Sequence, residues 1–205
     1  MYEYDLIVVG TGPYGRSIAA HATAEGLRLR HLGRRARRAA DDRTVTAVRP
    51  YGRDGFEVVT EDGESLRTRT VVLALGPAQL TQLPTPASEF RRGEPHRNRF
   101  CATHPALFRR LPTVVRLLLS DTDPTSARTD RVTLLSMPVR RRLSRTPDAP
   151  PWVDTRFESA HPGLFFAGLL TAAFFGPAIR SAHGAEFTAR RVLKGVRRRL
   201  GARPR

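Results

Sequence analysis

An α/β fold, with a strand–helix–strand unit at its start and a β-meander behind it, is predicted by three features of this 205-residue chain. An apolar run, Leu6–Val9, passes directly into a glycine-rich turn, Gly10-Thr11-Gly12-Pro13-Tyr14-Gly15. Residues 44–75 form short β-prone runs punctuated by Asp54-Gly55 and Asp62-Gly63. Near the C-terminus a second apolar run, Leu164–Gly168, precedes a long segment with helical spacing.

The first feature carries the chemistry. Glycine at the first position of G-x-G-x-x-G permits a tight turn, the second lets backbone approach a phosphate, and the third lets the following helix pack on the strand. Gly10, Gly12 and Gly15 hold those places at the C-terminal end of an apolar strand. Ile18, Ala19 and Ala22 follow at helical spacing, Gly26 can end the helix, and residues 27–32 read as a second strand. Helix amides and the positive end of the helix dipole would then face a dinucleotide diphosphate.

A dinucleotide fold usually places Asp or Glu at the end of the second strand, where it binds the adenosine ribose. Here that strand ends in Gly33-Arg34-Arg35, and the nearest acids are Glu25, Asp41 and Asp42. The ribose carboxylate is therefore missing. Arg34 or Arg35 could meet a 2′-phosphate, which would favour NADP, or could belong to a solvated basic run.

Thr44–Val48, Phe56–Thr60 and Ser65–Arg69 read as a three-stranded meander leading into a separate apolar strand, residues 70–76, with Ala74 and Gly76 at its end. Between Pro77 and Arg131 the pattern weakens. Residues 104–120 have nearly helical apolar spacing interrupted by Pro112, and 120–131 read as a polar loop. Val132–Met137 reads as a short strand and Arg140–Pro151 as a basic, proline-rich connector. The last third turns at Pro162-Gly163 into a strand ending at Gly168 and Leu169. Gly176-Pro177 then open a helix expected over about residues 178–200, where Pro177 suits the first turn.

Composition narrows the function classes. No apolar run reaches the ~18 residues needed to span a bilayer, and the chain opens on a strand rather than on a secretory signal pattern. A lone cysteine, Cys101, excludes an intrachain disulfide framework, and a cytoplasmic location is expected. The formal charge is +16, but lysine occurs once, at Lys194, and the remaining basic residues of the 35 are arginine. They are scattered without the aromatic interleaving of a stacking platform, so nucleic-acid binding is not expected. His21, His31, His96, His104, His161 and His183 lack metal-ligand spacing or a paired nucleophile. They are expected in surface or packing roles, as is the Asp41-Asp42 pair, and no metal is expected.

In this order, the three segments resemble the FAD/NAD(P)-binding oxidoreductases, most closely the flavin-containing and amino-acid N-hydroxylating monooxygenases. Asp5–Gly15 is similar to their FAD-diphosphate turn. Val71–Gly76 is similar to their Ala-Thr-Gly strand, with Leu75 in place of threonine. Residues 157–168 and 175–187 are similar to their C-terminal strand and helix. Leu169 stands where many relatives carry aspartate, as in some monooxygenase-like members.

The resemblance covers about half the chain and implies a Rossmann-like FAD/NAD(P)-binding domain with a three-stranded meander, incomplete relative to the two-dinucleotide fold. It places that domain at residues 1–77 plus 157–200, a poorly defined second-domain remnant or linker at 78–156, and a basic tail at 201–205. The implied cofactor is FAD, with NADP admitted. The cofactor-contacting residues would be Gly10, Thr11, Gly12, Pro13, Tyr14, Gly15, Gly33, Arg34, Ala74, Gly76, Gly168, Leu169, Gly176 and Pro177. No second glycine-rich turn occurs in residues 77–162, and only a short stretch joins the second strand to the meander. These gaps imply an internally truncated oxidoreductase-like protein whose activity is reduced or lost. An NAD(P)H-linked monooxygenase reaction is implied if it is active, and a homodimer would be one way to cover an exposed flavin. A basic non-enzymatic binding protein that reuses the fold is the alternative.

Overall fold

Among the described residues, six strands form one sheet, and its two buried faces explain the apolar pattern of the sequence. The computed structural model describes residues 1–33, 41–76, 128–175 and 184–201. Arg34, Gly176, Pro177, Cys101 and the helical pattern of residues 104–120 lie outside the described residues. The elements are β1 (Tyr4–Val9), α1 (Pro13–Ala24), β2 (Leu29–Leu32), β3 (Val45–Tyr51), β4 (Gly55–Thr60), β5 (Ser65–Leu73), α2 (Met137–Leu143), β6 (Leu164–Phe166), α3 (Ala172–Phe175) and α4 (Ala185–Gly201). The strand order is β2-β1-β5-β4-β3, with β6 also paired to β5.

β5 joins two architectures. Along one edge it runs parallel to β1, from Tyr4↔Thr68 to Val9↔Leu73. Along the other, its first half pairs antiparallel with β4, and residues 71–73 pair parallel with β6. The sequence suggests two strands here, over residues 65–69 and 70–76. The structure has one, because no turn residue separates Arg69 from Thr70. Burial alternates along the first half and becomes continuous from Thr70 onward, as expected where a strand passes from an open meander into a sheet covered on both faces.

Alternation along β1 divides the core. Leu6 and Val8 join Val72, Phe165, Ile18, Ala22 and the buried side of α4. Ile7 and Val9 point the other way, among Leu32, Val71, Leu73, Phe166 and the meander residues Val48, Phe56 and Val58. A strand's side chains alternate between faces, so helices α1 and α4 cover one face and the meander with residues 132–143 closes the other. α4 lies close on β6: a Cβ added at Gly195 would fall 2.6 Å from the Phe165 ring. Its C-terminus is held by Arg69, which donates to the carbonyls of Leu200 and Arg199 at 3.0 and 3.3 Å. Buried Glu158 adds a second tie, accepting from the Gly163 N–H and the Arg199 Nε.

Residues 132–143 differ from the strand-plus-connector reading. Val132–Leu135 is a turn whose single bridge joins Leu135 to Val48, and α2 follows at once. Ser136 stands at the N-cap and Pro138 in the first turn, a helix-start pattern hidden by the short apolar run before it. Val132, Leu135, Val139 and Leu143 are all buried in the meander-side core.

Candidate functional site

The glycine turn after β1 divides labour among its three glycines. Gly10 has φ +120°, and a Cβ built on it would lie 2.2 Å from the carbonyl oxygen of Ala74. A Cβ at Gly15 would lie 1.8 Å from the Gly10 carbonyl oxygen. Both positions therefore exclude any side chain, since turn, β5 end and α1 meet there through backbone. Gly12 is the opposite case: no described atom lies within 4 Å of the Cβ it lacks, and its φ of −68° is ordinary. It is exposed, forms the N-cap of α1, and is followed by Pro13 with no acidic residue in the first turn. Among the described residues, nothing fills the space in front of α1's positive end, the kind of place where helix amides and dipole favour an anion.

Neighbouring segments fix this turn. Gly10 N–H donates to the Leu32 carbonyl at 2.8 Å, and Ala74 N–H donates to the Val9 carbonyl at 2.8 Å. Gly33, at φ +152°, packs its α-carbon side on the turn; a Cβ there would lie 3.0 Å from Thr11 Cγ2 and 3.4 Å from Gly10. Ala74 is buried and Gly76 is half-buried, with no described atom within 4 Å of its missing Cβ. Tyr14 is buried, and Gly168 approaches its ring so closely that a Cβ would meet Cδ2 at 3.2 Å. The first and last thirds of the chain therefore converge on one side of the sheet. Burial raises the Tyr14 pKa. Leu169 is buried on the opposite, meander-side core.

His31 and Asp41 have roles that their sequence neighbourhood does not show. His31 is buried in β2 with Nε2 2.8 Å from the Gly10 carbonyl oxygen. A carbonyl only accepts, so Nε2 carries the proton and donates. Burial is the main cause of a lowered His31 pKa; the Gly10 bond opposes it and Arg16 reinforces it. His31 is thus a neutral prop beneath the glycine turn, in keeping with a packing role. Asp41 returns to β2: its N–H donates to the His31 carbonyl at 2.8 Å, and its own carbonyl accepts from Gly33 N–H at 3.2 Å. Its carboxylate is engaged by Arg30 and lies 3.7 Å from Arg43. Among the described residues, no unpaired acid stands at the β2 end: a Cβ at Gly33 would crowd Thr11 and Gly10, and Asp41 is paired with Arg30.

Among the described residues, no group of three or more His, Cys, Asp or Glu is arranged to hold a metal ion. No described helix is long and apolar enough to cross a membrane.

No protein-family model and no curated protein matches the chain. Solved structures do. HlmI superposes with a TM-score of 0.61 at 14% identity, over 96% of this chain and 92% of that one. A thioredoxin reductase from Streptococcus pyogenes MGAS5005 gives 0.59 at 14% identity, over 98% and 99%. A thioredoxin reductase from Gloeobacter violaceus gives 0.52 at 12% identity, over 100% and 99%. In two further matches, one to a flavin monooxygenase from Stenotrophomonas maltophilia, the alignment spans only 36% and 38% of the other protein's length. At such identities the likeness is one of architecture. The chain shares the overall α/β fold of HlmI and of these two thioredoxin reductases.

Proposed function

We propose that this chain binds FAD at the Gly10–Gly15 turn and is an oxidoreductase-like flavoprotein with weak flavin retention and reduced or absent turnover. The observation that carries the reading is the contrast within the turn. Gly10 and Gly15 are closed by backbone, whereas Gly12 faces open space at the start of α1. Backbone amides of the turn and first helical residues would hold the diphosphate. Gly33, Ala74 and Gly76 would border it, and Gly168 would support it from behind Tyr14. When bound, a flavin supplies hydride and electron transfer.

The residues present fit the diphosphate better than the ribose. A missing charged hydrogen-bond partner at the β2 end costs about 1.5–3 kcal/mol of binding, or roughly ten- to a hundredfold in affinity. A hydride donor lacks a second glycine turn in residues 77–162, which supports reduced or lost activity and an internally shortened relation to longer oxidoreductases. Purified protein should carry substoichiometric flavin, take up added FAD, and show no bleaching with NADPH. A full complement of tightly held flavin that NADPH bleaches would contradict the weak-retention reading. Failure to take up FAD at all would contradict the site.

A further inference from the structure

We propose a second ligand site, for a small oxyanion carried on a compact apolar body, in the cavity between α2 and the turn at residues 129–131. The cavity has a volume of about 250 Å³. For scale, a cavity of about 150 Å³ accepts benzene, so this one has room for a ring with a phosphate or carboxylate attached. It is separate from the glycine turn. Its walls hang from β3 through the Val48–Leu135 bridge, at the sheet edge opposite β2.

Its chemistry is set by Arg140, Arg141 and Arg145, which line it together with Asp130 and half-exposed Met137. The Asp130 carboxylate is held by Arg128, which donates from Nε and Nη2 at 3.1 and 2.7 Å. Asp148 lies within the field of the same Arg128. Counting these six charged groups, four guanidiniums face two carboxylates, and the surplus is positive. Arg140 is fixed by donation from Nη1 to the Asp130 carbonyl at 2.8 Å, while its Nε is buried without a partner among the described residues. A buried donor short of an acceptor favours negative charge beside the same guanidinium. Arg141 and Arg145 are exposed and form no ion pair among the described residues, so they are free to close on an anion.

The walls are preformed. Thr129 donates from N–H and Oγ1 to the Ala149 carbonyl at 2.9 and 2.8 Å, and Asp130 N–H donates to the Pro147 carbonyl at 2.9 Å. Ser144 Oγ donates to the Thr146 carbonyl at 2.7 Å. Little ordering is then required when a ligand enters. Met137 and Pro147 supply apolar wall against which a ring can lie.

The test is calorimetric titration of the full chain with phenyl phosphate and benzoate, with benzyl alcohol as the uncharged counterpart. Either anion should bind one-to-one at about millimolar affinity, and binding should weaken with salt. Arg145→Gln should weaken it about tenfold, and Arg140→Gln by at least as much. Arg142→Gln, whose side chain does not line the cavity, should leave it unchanged, as should Gly12→Val. Preference between the two probes identifies phosphate or carboxylate as the cognate group. The proposal is overturned if neither anion binds up to about 10 mM, or if benzyl alcohol binds as well as they do. Equal sensitivity to Arg142→Gln, or loss in Gly12→Val, also overturns it. Arg145 is exposed, so its variant remains informative should Arg140→Gln fail to fold.

Discussion

The glycine turn and the arginine-lined cavity are both concave places suited to anions, yet they are made from opposite materials. The turn is shaped by main chain: Gly10 and Gly15 touch backbone where any side chain would collide, and Gly12 leaves the opening clear. The cavity is shaped by side chains, with Arg140 and Arg141 on a short helix, Arg145 just beyond its end, and Arg140 donating a hydrogen bond to the turn opposite. With a site made of main chain, the scaffold tolerates almost no substitution at the fixed points and many at the mouth, where they obstruct the ligand instead. A site made of long side chains behaves the other way, because its scaffold survives the loss of a charge.

The largest effect should come from Gly15→Ala. The added carbon has no room against the Gly10 carbonyl, and α1 must move off the strand, costing at least ~3 kcal/mol. Denaturant unfolding would show this as a lowered midpoint, and a wild-type midpoint would mean the turn is slack. Next comes Gly33→Glu, the substitution that would nominally restore a ribose acid. It forces a side chain into a left-handed conformation against Thr11, so we expect about 2–3 kcal/mol of destabilisation and no gain in FAD affinity. Tighter FAD binding in that variant would show that the β2 end has more space than its geometry indicates.

His31→Leu should cost about 1–2 kcal/mol, since it strands the Gly10 carbonyl without its donor. The pH dependence has a definite sign. The folded-state pKa of His31 lies below its ordinary value of 6.5, chiefly through burial. The contribution is therefore complete above that value and is lost as pH falls below it toward the folded pKa, because the unfolded chain takes up the proton first. Wild type should lose stability across that acid window, and His31→Leu should lose less. Parallel curves would remove His31 from the account. The smallest stability effect belongs to Gly12→Val, within about 0.5 kcal/mol, because φ is ordinary and no described residue crowds the position.

The same contrast governs what could be read from the residues. Leu6–Val9, the three glycines and the helix after them were legible because backbone sites demand glycine at fixed spacing, and spacing survives in a linear string. The meander turns at Asp54-Gly55 and Asp62-Gly63 were legible for the same reason. The unity of β5 was not, since its middle residues, Arg69 and Thr70, look like a break until strands on both edges are seen. α2 was hidden because Leu134-Leu135 resembles a strand start, and its helix signal rests on Ser136 and Pro138 alone. The engagement of Asp41 by Arg30, and the His31 prop under Gly10, depend on strands that meet only after folding. The arginines of the cavity read as part of a basic, proline-rich connector, because nothing in sequence distinguishes Arg140 and Arg141, which line it, from Arg142, which does not.

The most direct test of the central claim is FAD affinity measured in parallel on wild type and Gly12→Val, with unfolding midpoints taken on the same samples. An obstructed opening on an intact scaffold should lower affinity by about a hundredfold or more while the midpoints coincide. Equal FAD affinity in a normally folded Gly12→Val protein would contradict the assignment of the diphosphate to this turn.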